Sequence, residues 1–298
     1  MSRSTVGFLG LGSMGDPMVR TLLAKEWTVL IAPRDPAKAA RLAAEGATLV
    51  ADPAVMAEKT SLVVACLPDA EAVREVLFAP RGLVVAGRWD GLFIDCSTLK
   101  PAESIEIGTR LAELGSESLD APISGGPRGA AQGTLSIMVG GTRRAVERGQ
   151  AVMGALGSKV IHCGAAGAGQ VTKACNQLIV MSTMTAVAES LSLAASAGVD
   201  PAVVREALLG AYAYSPILEM HGPRMLTGDY EPGGRAIFHA KDIATIAGIA
   251  EKNGLDLPLF AAARAQYERL FAIPGGPEMD HSAVAILYPV TASGVESP

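Results

Sequence analysis

The stretch TVGFLGLGSMGDPM, residues 5–18, places Gly10-x-Gly12-x-x-Gly15 directly behind a strand-like run and at the start of a helical pattern. No other feature of the chain limits its fold so narrowly. Gly10 permits the tight turn, Gly12 lets a pyrophosphate approach the backbone, and Gly15 lets helix and strand pack closely. The phosphates then sit on the free N–H groups of the helix N-terminus, where Ser13 and Met14 form the turn. Alone, the motif reads equally as a structural glycine-rich turn. In the first strand–helix unit of a βαβ array it points to dinucleotide binding.

Such an array follows. TVGFLG, WTVLIA, SLVVACLP and GLFIDCS read as strands, and helical patterns run from near Met14 to Lys25 and through PAKAARLAAEG and PAESIEIGTRLAELG. SESLDAPIS, GTLSIMVGG and KVIHCG read as further strands, with RRAVERGQAVMGAL between the last two. Strands alternating with helices imply a mainly parallel sheet covered on both faces. After about residue 164 only helical patterns remain: Gln170 to Ala197, Pro201 to Leu209, around Ile217 to Leu226, KDIATIAGIAEKNG, PLFAAARAQYERLFA and a short HSAVAIL. The expected architecture is an α/β N-terminal Rossmann domain, doubly wound, over residues 1–164. An all-α C-terminal domain spans 165–298, and a long connecting helix starts near residue 170.

Composition excludes several classes. The 298 residues are 49 % hydrophobic and 18 % charged, with net charge −5 and no long basic run, so nucleic acid and anionic membranes are not expected partners. The uncharged run Ala174 to Ala188 is shorter than a bilayer span and reads as a buried helix. The N-terminus shows no signal-peptide pattern. Cys66, Cys96, Cys163 and Cys175 have neither metal nor redox spacing and read as buried free thiols in a reducing cytosol. No His/Asp/Glu cluster has metal-ligand spacing, so no metal is expected.

Cofactor choice turns on the end of the second strand. NAD sites usually place an acidic residue there, about 20 residues beyond the glycines. Here the strand runs into Pro33-Arg34-Asp35. Arg34, with Lys38 one helical turn later, suits a 2′-phosphate and favours NADP(H). NAD(H) stays possible, because Asp35 could bond a ribose or neutralise Arg34, and Arg34 reads equally as a solvated loop residue.

GAAGAGQVTKACNQ, residues 164–177, sets Lys173, Asn176 and Gln177 on one helical face at i, i+3 and i+4. Hydride chemistry beside a bound dinucleotide needs a group that gives and takes a proton, and a lysine can do so if burial pulls its pKa toward neutrality. The residues alone leave two readings: a catalytic patch, or a lysine snorkelling to solvent beside internally bonded amides. Ser124-Gly125-Gly126 offers backbone N–H groups and a hydroxyl for an anion, or is a flexible turn.

Four ordered motifs resemble the β-hydroxyacid dehydrogenase family over essentially the whole chain. GLGSMGDPM resembles its cofactor signature and DAPISGGPRGAAQGTLSIMVGG its substrate signature. GAGQVTKACNQ is similar to its catalytic-lysine signature, and FHAKDIATIAGIAEKNGLDLP to a later block with a Lys-Asp pair. The resemblance implies NAD(P)-dependent hydride transfer between nicotinamide and a small 3-hydroxy acid or semialdehyde. Lys173 is then the general acid/base, with Ser124, Gly125 and Gly126 on the substrate carboxylate. It further implies Asn176 and Gln177 beside the lysine, Lys241 near the nicotinamide end, and Leu67, Pro68 and Thr98 on the cofactor. Asn-Gln after the lysine and His239 before Lys241 resemble the tartronate semialdehyde reductase branch, and His239 is either a further substrate contact or a packing residue. Arg128 reads as a surface residue, His162 as structural, and His221 and His281 have no partner in sequence. Asp120 and Asp242 are expected to fix backbone or lysine geometry. Alternatives are an imine reductase-like enzyme, which the retained Lys173 opposes, and a non-catalytic dinucleotide-binding protein. An apolar helical domain implies a homodimer or homotetramer.

Overall fold

The computed structural model describes residues 4–32, 35–85 and 89–288. Arg34, on which the NADP reading leaned most, lies outside the described residues. The chain divides into two compact units, Met1–Lys173 and Ala174–Pro298. The division falls inside the helix Ala168–Ser196.

Unit one is built on a sheet of nine strands among the described residues. These are β1 (Thr5–Leu9), β2 (Thr28–Ile31), β3 (Thr48–Leu49), β4 (Leu62–Ala65), β5 (Leu92–Asp95), β6 (Glu117–Asp120), β7 (Ile123–Ser124), β8 (Leu135–Gly140) and β9 (Gly157–Gly164). The order β3-β2-β1-β4-β5-β6-β8-β7, with β9 on β8, contains the 3-2-1-4-5-6 order of a dinucleotide fold. All pairs from β3 to β6 are parallel, and β8 runs antiparallel to β6 and β7. Strands covered on both faces read as continuous apolar runs. Val6, Phe8, Ile31, Val64 and Ile94 accordingly lie in one core, and Leu9, Val63, Ala65 and Phe93 in another.

Helices α1 (Gly15–Ala24), α2 (Pro36–Ala44), α3 (Pro53–Ala57), α4 (Ala70–Phe78), α5 (Pro101–Glu113), α6 (Gly126–Gln132) and α7 (Arg143–Leu156) connect these strands. Three of them, α3, α4 and α6, and the two-residue β3 were absent from the sequence reading. SESLDAPIS forms two strands, not one. Ala121-Pro122 interrupts it, because proline has no N–H for the ladder.

Unit two is helical: the rest of α8 (Ala168–Ser196), then α9 (Pro201–Leu209), α10 (Pro216–Thr227), α11 (Phe238–Lys252), α12 (Pro258–Phe271) and 3₁₀ turns at Gly276–Glu278 and His281–Leu287. Met181, Met184 and Leu191 of α8 pack in its core with Leu218, Ile246, Tyr267 and Val284. By length and composition alone α8 could cross a membrane. Its buried methionines, together with the buried Gln170, Lys173, Ser182 and Thr185, make it a core helix instead. The expectation of burial all round fails, however: Ile179 is 62 % and Leu193 70 % exposed. The cysteine expectation fails similarly, since Cys175 is exposed and only Cys96 is fully buried.

Candidate active site

The three glycines of the turn serve three different needs. Gly10 has φ +93°, and a Cβ there would stand 2.2 Å from the Cys66 carbonyl oxygen. A Cβ on Gly15 would stand 1.8 Å from the Gly10 carbonyl oxygen. Both glycines are therefore demanded by the protein itself. A Cβ on Gly12 would meet nothing within 4 Å, so this glycine keeps space open above the turn. That vacancy fits a dinucleotide pyrophosphate. Met14, the N-cap of α1, offers no side-chain acceptor; the Asp16 amide donates to the Gly12 carbonyl at 3.1 Å and Pro17 has no N–H, which leaves the Gly15 amide to a ligand or water. Asp16 in that first turn would repel phosphate, but Arg20, at 2.8 Å, and Arg41 both pair with it.

Beside the turn, the Lys38 ammonium donates to the Leu11 carbonyl at 3.2 Å. Asp35 takes a role the sequence reading did not give it: its carboxylate caps α2, accepting from the Ala37 and Lys38 amides. The Asp-Pro pair before an apolar-periodic run was the available signal.

The loop holding Thr98 is fastened to α8. Gln170, 1 % exposed, accepts from the Leu99 amide at 3.0 Å and donates to the Ser97 carbonyl at 2.9 Å. Ser97 Oγ in turn accepts from the Leu67 amide at 2.8 Å. The expected cofactor contacts Leu67 and Thr98 are thus tied to the helix bearing Lys173, through a glutamine that sequence reasoning passed over. Asp120 caps the same helix, accepting from Gly167 N at 2.8 Å and Gln170 N at 3.0 Å. Burial pushes its carboxyl above the ordinary range, and these amides partly offset the rise. Gly169 has no room for a side chain, since a Cβ would lie 2.4 Å from the Met138 carbonyl. Lys173 follows one turn on and is 8 % exposed. It is a buried lysine, not a snorkelling one.

Ser124 ends β7, and Gly125 and Gly126 open α6 with φ of 128° and 62°. The flexible-turn alternative gives way to a helix start that only glycines accommodate readily. Space around a Gly126 Cβ is empty, and Arg128 is exposed.

In unit two, Asn176 Nδ2 donates to Gln177 Oε1 at 2.8 Å, and Gln177 Nε2 donates to Asp242 Oδ2 at 2.6 Å. His239 does not point to an open site. It is buried, with Nδ1 at 3.3 Å from Asp242 Oδ2 and Nε2 at 3.0 Å from His281 Nδ1. His281 Nε2 meets His221 Nε2 at 3.3 Å. His221 and His281 therefore have partners, and with Asp280 they form a group able to hold a metal ion by proximity, which sequence spacing could not reveal. Lys241 is half-buried on α11. An open apolar groove of about 340 Å³ between α11 and α12, lined by Ile243, Ala247 and Phe271, contains none of the expected site residues.

Comparison with known proteins agrees with this geometry. Residues 5–164 match the family model described as the NAD binding domain of 6-phosphogluconate dehydrogenase. Residues 167–288 match that described as NAD-binding of NADP-dependent 3-hydroxyisobutyrate dehydrogenase. The 2-hydroxy-3-oxopropionate reductase of Escherichia coli K12 is 37 % identical, with 94 % of this chain and 95 % of the relative aligned. The L-threonate dehydrogenase of Cupriavidus necator is 33 % identical over 100 % of this chain and 99 % of its own. A crystal structure of 3-hydroxyisobutyrate dehydrogenase from Salmonella typhimurium superposes with TM-score 0.85 at 31 % identity, covering 96 % of this chain and 100 % of that one. A glycine turn open for a pyrophosphate, a buried lysine on a capped helix and relatives of matching length together make this chain a member of the NAD(P)-dependent β-hydroxyacid dehydrogenase family.

Proposed function

We propose that the chain interconverts a small 3-hydroxy acid and its semialdehyde, with Lys173 as general acid/base and 2-hydroxy-3-oxopropionate as the first substrate to test. The observation that carries this reading is Lys173 itself, buried on a helix whose start is held by Asp120 and Gln170. Gly10, Gly12, Ser13, Met14 and Gly15 would hold the pyrophosphate. Leu67, Pro68 and Thr98 would flank the rest of the dinucleotide, which supplies or accepts a hydride when bound. Lys38, whose ammonium lies at the glycine turn, supports NADP(H) over NAD(H), with Arg34 as its expected partner. Ser124, Gly125 and Gly126 would receive the substrate carboxylate through hydroxyl and amides. Asn176 and Gln177 would hold the hydroxyl side, and Lys241 the nicotinamide end. The Lys173 Nζ donates its proton to the carbonyl oxygen during reduction and recovers it during oxidation. Identity of 37 % to a 2-hydroxy-3-oxopropionate reductase supports the substrate choice. Exposed Ile179 and Leu193 support a homo-oligomer, with residues 1–164 and 165–298 as the functional domains of each chain.

Lys173→Ala is expected to keep cofactor affinity and to lower kcat by about 10²–10⁴-fold. Turnover of 3-hydroxy acids and semialdehydes with both cofactors, followed by nicotinamide absorbance, reads this directly. Unchanged turnover of an accepted substrate by the variant would overturn the mechanism.

A further inference from the structure

The second unit contains a line of polar side chains that the reaction above does not use: Asp242, His239, His281, His221 and Asp280, joined at 3.3, 3.0, 3.3 and 3.6 Å. They come from α11, the 3₁₀ turn after Gly276–Glu278, and α10. At its Asp242 end the line continues into Gln177 and Asn176.

The His221–Asp280–His281 end does not favour a metal. Asp280 Oδ1 already accepts from Ser282 N and Oγ, at 3.1 and 2.6 Å. Its Oδ2 accepts from Gly233 N and Gly234 N and pairs with Arg224 Nη1, each at 3.0 Å. A cation would compete with a guanidinium for a carboxylate whose lone pairs are taken.

The two ring-to-ring contacts are hydrogen bonds, each using one imidazole proton. The two ends are packing contacts: His239 Nδ1 stands 3.3 Å from Asp242 and His221 Nδ1 3.6 Å from Asp280, and neither buried nitrogen has a hydrogen-bond partner among the described residues. Tyr267 packs on His239, and Arg224 stands beyond Asp280, so no further carboxylate is brought against the rings by the neighbouring helices among the described contacts. Burial, with His239 beside it, lowers His281 to about 3, which keeps the central ring neutral.

We infer that Asp242, backed by this histidine line, is a positioning residue that fixes which way the Gln177 and Asn176 amides face. An acceptor-only carboxylate forces Gln177 to present Nε2 to Asp242. Its Oε1 then faces Asn176 and forces Asn176 to present Nδ2. Without Asp242 both amides can turn over, exchanging donor for acceptor toward the substrate. The inference rests on the proposed placement of Asn176 and Gln177 at the substrate.

Asp242→Ala in the full-length enzyme is expected to raise KM for the hydroxy acid at least about tenfold, with a smaller change in kcat and none in cofactor affinity. Asp242→Asn keeps an acceptor oxygen and should recover part of the KM. An unchanged KM in Asp242→Ala or no recovery in Asp242→Asn overturns the inference. So does one equivalent of zinc bound by the wild type and lost in His281→Gln. Gln177→Ala separates the two levels. If it leaves KM unchanged, the substrate role of Gln177 falls. If it raises KM while Asp242→Ala does not, only the positioning role falls.

Discussion

The two units build their polar sites from different material. In unit one the chemistry is mostly backbone: glycines at 10, 12, 15, 125, 126 and 169, amides at helix starts, and carboxylates at 35 and 120 capping those helices. In unit two it is side chains gathered from separate helices: Gln177 donates to Asp242, and His239, His281 and His221 are hydrogen-bonded in a row between Asp242 and Asp280. A backbone site tolerates change at neighbouring side chains but not at the glycine. A side-chain line depends on each member having its partner, because a buried polar group left alone pays its full desolvation. Substitutions in the two units should therefore fail in different ways.

Asp280→Asn tests this most severely. The carboxylate is fully buried and takes four hydrogen bonds and an Arg224 ion pair, so its loss leaves four donors with a poorer acceptor and Arg224 with the longer, exposed Asp229 pair at 3.6 Å. A cost of about 3–5 kcal/mol in urea unfolding is expected near neutral pH. Burial alone would push this carboxyl up, but the His221 side chain, then Ser282 and the Gly234 amide, hold it well below the ordinary range. A lowered folded value means the stabilisation is fully present above the unfolded value near 3.8 and is lost progressively as pH falls toward the folded value. The gap between wild type and Asp280→Asn should therefore begin to narrow below about pH 4 and keep narrowing with further acidification. A gap that persists in acid would show that Asp280 acts by shape, not charge.

This division also explains what could be read beforehand. The glycine turn is legible because its three glycines lie within a few residues of one another. A Cβ on Gly15 would meet the Gly10 carbonyl and Gly12 borders open space, whereas the clash awaiting a Cβ on Gly10 comes from Cys66, which no local spacing shows. The Pro201 to Leu209 helix was placed to the residue, because an Asp-Pro start and a glycine end are local signals. Helix α6 was missed because GPRGAAQ has poor intrinsic propensity, and it forms where glycines and β8 packing override that. In unit two, His239 and Asp242 share a helical face at i, i+3, and that pair could have been found. The partners His221 and His281 come from other elements, and no spacing rule links them. Asymmetric exposure of α8 was likewise hidden, since an apolar pattern all round says nothing about how much cover the rest of the chain supplies.

Gly15→Ala and Gly12→Ala sharpen the contrast inside unit one. Adding a Cβ at 15 drives it to 1.8 Å from a backbone oxygen that cannot rotate away, and about 1–3 kcal/mol of stability should be lost. Adding one at 12 meets nothing, so the unfolding midpoint without cofactor should stay within about 0.5 kcal/mol of wild type. Binding of the reduced dinucleotide, followed by its fluorescence, should nevertheless weaken about tenfold or more in Gly12→Ala, because the space it fills is the pyrophosphate's. Equal stability losses in both variants would break the distinction between a glycine the fold needs and one the ligand needs.

Asp120→Asn is expected to have the smallest effect and the opposite pH signature. It caps α8 through Gly167 and Gln170, and an amide keeps one acceptor oxygen for those two donors, so about 1 kcal/mol should be lost near neutral pH. Burial raises the folded value of Asp120 above 3.8, with the backbone amides only partly offsetting it. A raised value means the folded state takes up a proton more readily than the unfolded one. Stability attributable to this carboxyl thus increases as pH falls through its folded value toward the unfolded one, while the asparagine variant does not titrate. The margin of wild type over Asp120→Asn should widen on acidification, where that over Asp280→Asn narrows. Unfolding free energies of the three proteins at stepped pH check both slopes. Margins that move in the same direction would show that the two carboxylates, one capping a helix with its burial dominant and one saturated with donors, do not differ electrostatically as their surroundings require.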